Sequence, residues 1–125
     1  MAISPGFKVF LDEQFAPLPG VTIRKMFGGL GVFRDGIMFA MSVEDTLYLR
    51  CDGERAADFE AEGSAPVVFK THTGKDMPMP YWRAPERLFD EPEAFRDWAE
   101  RAFADAWRMK VEKPARKPRK ARAAG

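Results

Sequence analysis

A chain of 125 residues, 46% apolar and 31% charged, has the size of one domain and excludes a multidomain machine. Its single cysteine, Cys51, excludes an internal disulfide framework and a Cys-based zinc cluster, and no apolar run approaches the ~20 residues of a membrane span. The net charge of +1 conceals a segregation, because residues 1–107 hold 12 Lys and Arg against 18 Asp and Glu (−6), whereas residues 108–125 hold 8 basic residues against Glu112 alone (+7).

The first helix is expected to start at Ser4, a capping residue, with Pro5 pre-set for the first helical position. Phe7, Phe10, Leu11 and Phe15 recur at spacings of three and four and mark its core face. Pro17, Pro19 and Gly20 stop it and lead to a strand-rich stretch from Val21 to Cys51. There Asp35-Gly36 signals a tight hairpin turn and Glu44-Asp45 the next reversal, while Leu47, Leu49 and Cys51 alternate with Tyr48 and Arg50 as in a strand with one buried face. A short helix is predicted over Glu54–Glu62, capped by Asp52 and stopped by Gly63. Strands follow near Pro66–Thr71 and Met77–Arg83, joined through Thr73-Gly74-Lys75-Asp76. Pro78 and Pro80, two apart, remove N–H groups from one side of the second of these, which predicts a sheet-edge strand.

A turn around Glu86–Phe89 precedes a long helix opened by Pro92. Phe95, Trp98, Ala99, Ala102, Phe103 and Ala106 form its inward stripe, with Arg96, Asp97, Glu100, Arg101 and Asp105 assigned to other faces. This order predicts an α+β domain over residues 1–110, two layers thick, with a mainly antiparallel sheet packed by the N- and C-terminal helices. Residues 111–125 contain almost no large apolar side chain and are expected to form a disordered basic tail.

The stretch from Arg24 to Ala40, with Lys25-Met26-Phe27-Gly28-Gly29-Leu30-Gly31 at its head, resembles the N-terminal domain of the TfoX/Sxy family of competence regulators. Leu47-Tyr48-Leu49-Arg50 and Met79-Pro80-Tyr81-Trp82-Arg83-Ala84-Pro85 are similar to that family's later motifs, in the same order. The resemblance covers roughly residues 5 to 108. It implies a two-layer fold of the secretion-chaperone type and a role beside a transcription activator. Longer members carry a second, helical domain, whereas this chain has the basic segment at that place. The resemblance implies no catalytic residues.

Candidate chemistry is thin. Gly28-Gly29-Leu30-Gly31 fits neither the dinucleotide fingerprint nor the P-loop and reads as a bulge or tight bend, and Gly74-Lys75-Asp76 reads as a turn. His72, the sole histidine, is expected to face solvent, and Cys51 to be a buried, inert thiol, so a Cys51–His72 nucleophilic pair is disfavoured. No catalytic, cofactor or metal residue is assigned. Tyr81, Trp82 and Arg83 are the candidate partner-binding residues, because aromatics and Arg are enriched at interface hot spots; the bland alternative packs Tyr81 or Trp82 under the last helix. Lys113, Arg116, Lys117, Arg119, Lys120 and Arg122 are the candidates for weak, nonspecific DNA or RNA attraction. The expectation is therefore a non-enzymatic regulatory or protein-interaction domain without a cofactor. It would act with an unidentified protein partner or as a homodimer, away from membranes. The opening Met1–Pro5 has no secretory-leader pattern, so the cytoplasm is the expected compartment. The alternative is a small enzyme using carboxylates or His72 in a pocket at the sheet surface.

Overall fold

The computed structural model describes residues 5–26 and 29–112. Its elements are α1 (Pro5–Phe15), β1 (Val21–Met26), β2 (Gly29–Arg34), β3 (Ile37–Val43), β4 (Thr46–Arg50), a 3-10 turn (Gly53–Arg55) running into α2 (Ala56–Ala61), β5 (Pro66–Lys70), β6 (Asp76–Arg83), a second 3-10 turn (Glu86–Asp90) and α3 (Pro92–Glu112). The Ser4 cap and residues 113–125 of the expected tail lie outside the described residues. The fold is α+β: one six-stranded antiparallel sheet, ordered β1-β2-β3-β4-β6-β5, with the helices on one face.

The turns explain the meander. Asp35 (φ 54°) with Gly36 (φ 77°), and Glu44 (φ 53°) with Asp45 (φ 61°), both place two residues in the left-handed region. That geometry matches the twist of adjacent strands and fixes their register at once. Arg34 then faces Ile37, Phe33 faces Met38, Val43 faces Thr46 and Met41 faces Tyr48.

Leu30, Val32, Ala40, Leu47 and Leu49 share the helix-facing side through their cross-strand pairs and are buried. The register slips between Val32 and Phe33, so Phe39 is the extra residue of a β-bulge and turns inward beside Ala40. There Phe39 meets the ring of Phe15 of α1 at 5.9 Å and that of Phe103 of α3 at 5.7 Å, both edge-on. Phe95, Ala99, Ala102 and Ala106 of α3 complete this core, and the small alanines let the helix approach the sheet closely. Phe59 of α2 stacks on Trp82 and meets Trp98 edge-on.

Two expectations change. β6 is internal over Tyr81–Arg83, where β4 pairs with it, and exposes one side only over its first half, because β4 ends at Arg50. The Cys51 amide donates to Pro80 O at 3.0 Å, and since a residue's N–H and C=O point the same way in an antiparallel strand, the missing proline N–H groups fall on the side that β4 vacates. Asp105, assigned to an outer helix face, is fully buried.

Candidate protein-interaction face

Every helix and both 3-10 turns bear on one side of the sheet, and among the described residues no helix lies over the other. Strand alternation sets the composition of that open face. A Cβ built on Gly31 would meet Met26 Sδ at 2.6 Å, Phe33 Cε1 at 2.8 Å and Met38 Sδ at 3.2 Å, so these three side chains converge above a bare backbone. Met41 pairs with Gly31 and with Tyr48, and extends the patch across β3 and β4. Met26, Phe33, Met38, Met41 and Tyr48 are all half-buried. Val43, at the end of β3, is 41% exposed.

Tyr81 shares this face, since it pairs with Arg50, and its hydroxyl donates to Met38 O at 3.4 Å across the intervening strand. Burial pushes the Tyr81 phenol above its usual range, against the opposing effect of the Arg50 guanidinium, which lies 5.5 Å from the ring centre. Arg24 of β1 is exposed and holds its guanidinium 4.6 Å from the centre of the Phe33 ring. Strands β1 to β4 contain no Asp or Glu at all. Apart from Asp76 at the start of β6, the body's acids sit on helices, turns and loops, so a basic, apolar sheet face lies within an otherwise acidic globule.

A second polar cluster lies at the opposite face, beneath the C-terminal end of β4. The Asp105 carboxylate accepts from the Asp52 amide at 3.1 Å, from Arg55 Nε at 3.2 Å and from an Arg108 terminal nitrogen at 3.2 Å. Arg108 also pairs with Asp52 and, with the Glu54 amide, holds that carboxyl below its ordinary range. Cys51 donates to Asp52 O at 3.1 Å, and burial, with the charges of Asp105 and Asp52 adding to it, pushes the thiol up to about 11. These groups satisfy one another. The adjoining crevice between α2 and α3, beside Arg55, Asp58, Trp98 and Arg101, measures about 10 Å³, the limit for a single water. A wider cleft of about 150 Å³ lies between Phe7, Asp45, Leu47, Arg83, Glu86 and Phe89, below the ~300 Å³ at which small-molecule sites begin. Among the described residues no three His, Cys, Asp or Glu side chains gather as a metal-binding group, and no helix is long and apolar enough to cross a membrane.

The family model of the TfoX N-terminal domain matches residues 13–106, from the second half of α1 to the last turns of α3. The chain belongs to the TfoX N-terminal domain family. Comparison with curated proteins gives no match.

Within this TfoX-type domain the three expected partner-binding residues part company. Tyr81 is 4% exposed and looks onto the open face. Trp82 pairs with Leu49, lies on the helix side and packs on Phe59 at 5.9 Å. Arg83 is exposed, with its guanidinium donating to Gly63 O at 3.2 Å. The six basic candidates from Lys113 to Arg122 lie outside the described residues. His72 is exposed in the β5–β6 turn, while Cys51 is buried in the core. Gly74 is a turn residue with φ 89°. Gly29 and Gly31 sit in β2 and serve close approach rather than a bend. The methionine-rich face escaped attention in the sequence, although the two tight turns already set Phe33 against Met38 and Met41 against Tyr48.

Proposed function

We propose that this TfoX-type domain is a non-enzymatic, regulatory protein-interaction module whose contact surface is the open face of its sheet. The observation that carries this reading is the methionine and aromatic surface of β2, β3 and β4 that, among the described residues, no helix covers. Large contiguous apolar patches mark interaction sites, and flexible methionines adapt to varied partners. A second copy placed face to face would set Arg24 and Arg50 against their like, which favours a different protein as partner. A role beside a transcription activator, as the family resemblance implies, is one setting for such contact, with the basic segment Lys113–Arg122 adding weak attraction to nucleic acid.

Capture from a bacterial lysate by the immobilised full chain and by its Met41→Glu variant tests the reading. A reproducible set of proteins retained by the parent and lost from the variant, with an unchanged circular dichroism spectrum, is the expected result. No reproducible set, or one that the variant keeps in full, overturns it.

A further inference from the structure

We infer that the open face receives an acidic amphipathic helix of a partner protein, laid along β2 and β3 with its carboxylates flanking Arg24 and Arg50. The inference rests on the interaction-face reading and adds the chemistry of the occupant. Phe33 and Met38 face each other on β2 and β3, with Met41 opposite Gly31 two ladder pairs further along, and together they form an apolar floor. The charges come from the strands on either side of that floor: Arg24 on β1, whose guanidinium leans over the Phe33 ring at its β1 edge, and Arg50 on β4, whose guanidinium lies by Tyr81. Three strand spacings separate β1 from β4, about 14 Å, and an α-helix with its side chains is about 10–12 Å across. A helix seated on β2 and β3 therefore places its apolar stripe on Phe33, Met38 and Met41 and its two shoulders over the arginines. Acidic shoulders complement them. Basic shoulders would be repelled, and no carboxylate in β1 to β4 offsets that repulsion.

Competing occupants fit less well. A single-stranded nucleic acid needs bare ring faces for base stacking, but Tyr81 is 4% exposed and offers none. A second copy meets the like-charge conflict described above. The face of a sheet, unlike its edge, offers no free ladder of N–H and C=O groups to an extended strand.

The test uses the full chain with its seven methionines carrying ¹³C-labelled methyl groups, and two synthetic helical peptides about 18 residues long. The peptides share one Leu/Ile stripe and differ in having Glu or Lys on both shoulders. The Glu peptide is expected to bind about tenfold tighter than the Lys peptide, as two exposed ion pairs replaced by like charges would give. It should shift the Met26, Met38 and Met41 methyl signals while leaving Met109 in place. Arg24→Glu should abolish the preference, and the uncharged change Met41→Gln should weaken both peptides; neither alters residues 113–125, so attraction by that basic segment is held constant. Equal affinity for the two peptides, shifts that spare the three face methionines, tighter occupation of the same methyl groups by an oligo-dT strand, or self-association through them without peptide would each overturn the inference. If lysate capture is lost from Met41→Glu while the peptides are not distinguished, the acidic-helix occupant fails and the interaction face stands.

Discussion

Asp105 shows how one side chain can organise an end of the molecule. Its carboxylate is completely buried and gathers Arg55, Arg108 and the Asp52 amide, tying α3 to the segment between β4 and α2. Removing it leaves two guanidinium groups and a backbone N–H without their acceptor, so Asp105→Ala should cost about 3 kcal/mol in urea unfolding. Arg108→Ala, which removes a partly exposed partner, should cost under about 1 kcal/mol; a larger loss for Arg108 than for Asp105 would contradict this account. Sequence alone missed Asp105 because its charge outweighed its position, though Trp98, Ala102 and Asp105 fall at helical spacing on the inward stripe. Cys51 beside it was legible from alternation with Leu47 and Leu49. Its thiol, pushed up to about 11 from an ordinary 9.0, ionises in the unfolded chain before it ionises in the native one. Its contribution to stability is therefore complete below pH 9 and is lost as pH rises towards 11, by about 2–3 kcal/mol. Unfolding monitored between pH 8 and 11 should show a clearly steeper decline in the parent than in Cys51→Ala, whose remaining decline above pH 10 belongs to Tyr81, a phenol that burial also pushes up. Iodoacetamide at pH 8 should modify the native thiol far more slowly than the urea-unfolded one.

At the scale of elements, the β2–β3 hairpin was readable from Asp35-Gly36, and the turn type fixes its register as far as the Phe33–Met38 pair. What the sequence hid was the bulge at Phe39 and the purpose of the glycines before it. A Cβ on Gly29 would lie 2.2 Å from the Ser42 carbonyl oxygen, a backbone atom of the neighbouring strand that cannot yield without parting the pair. On Gly31 it would press on the tips of Met26, Phe33 and Met38, which can rotate aside. Gly29→Ala should therefore cost about 2–3 kcal/mol and Gly31→Ala about 1 kcal/mol, with Gly31→Ala alone leaving stability nearly intact while it reshapes the open face and weakens peptide binding. Equal destabilisation by the two would refute the distinction. The prolines of β6 teach a related lesson: their spacing correctly identified a side without N–H donors, but where β4 ends is set by tertiary packing at Cys51 and Asp52, which no local pattern in β6 records.

At the scale of the whole molecule, strands β1 to β4 carry four basic residues and no acid, the helices and turns carry charges of both signs with nearly all the acids, and a second basic group follows residue 107. The two basic regions should act independently, because one is embedded in an apolar surface and the other, from Lys113 to Arg122, contains no large apolar residue. For the second region the physics is counterion release, in which each neutralised phosphate adds to the salt dependence of binding, so six engaged residues give a slope of log K against log salt of about −5. On the proposed reading, the acidic body, −6 over residues 1–107, should oppose close approach and keep any such affinity weak at physiological salt. Fluorescence anisotropy with a labelled duplex should show binding at low salt that collapses over this slope, is indifferent to base sequence and disappears when Lys113, Arg116, Lys117, Arg119, Lys120 and Arg122 are changed to Gln. Met41→Glu should leave the same measurement almost unchanged. Duplex binding that survives the six substitutions but falls with Met41→Glu would move nucleic-acid recognition to the sheet and undo the separation of the two surfaces.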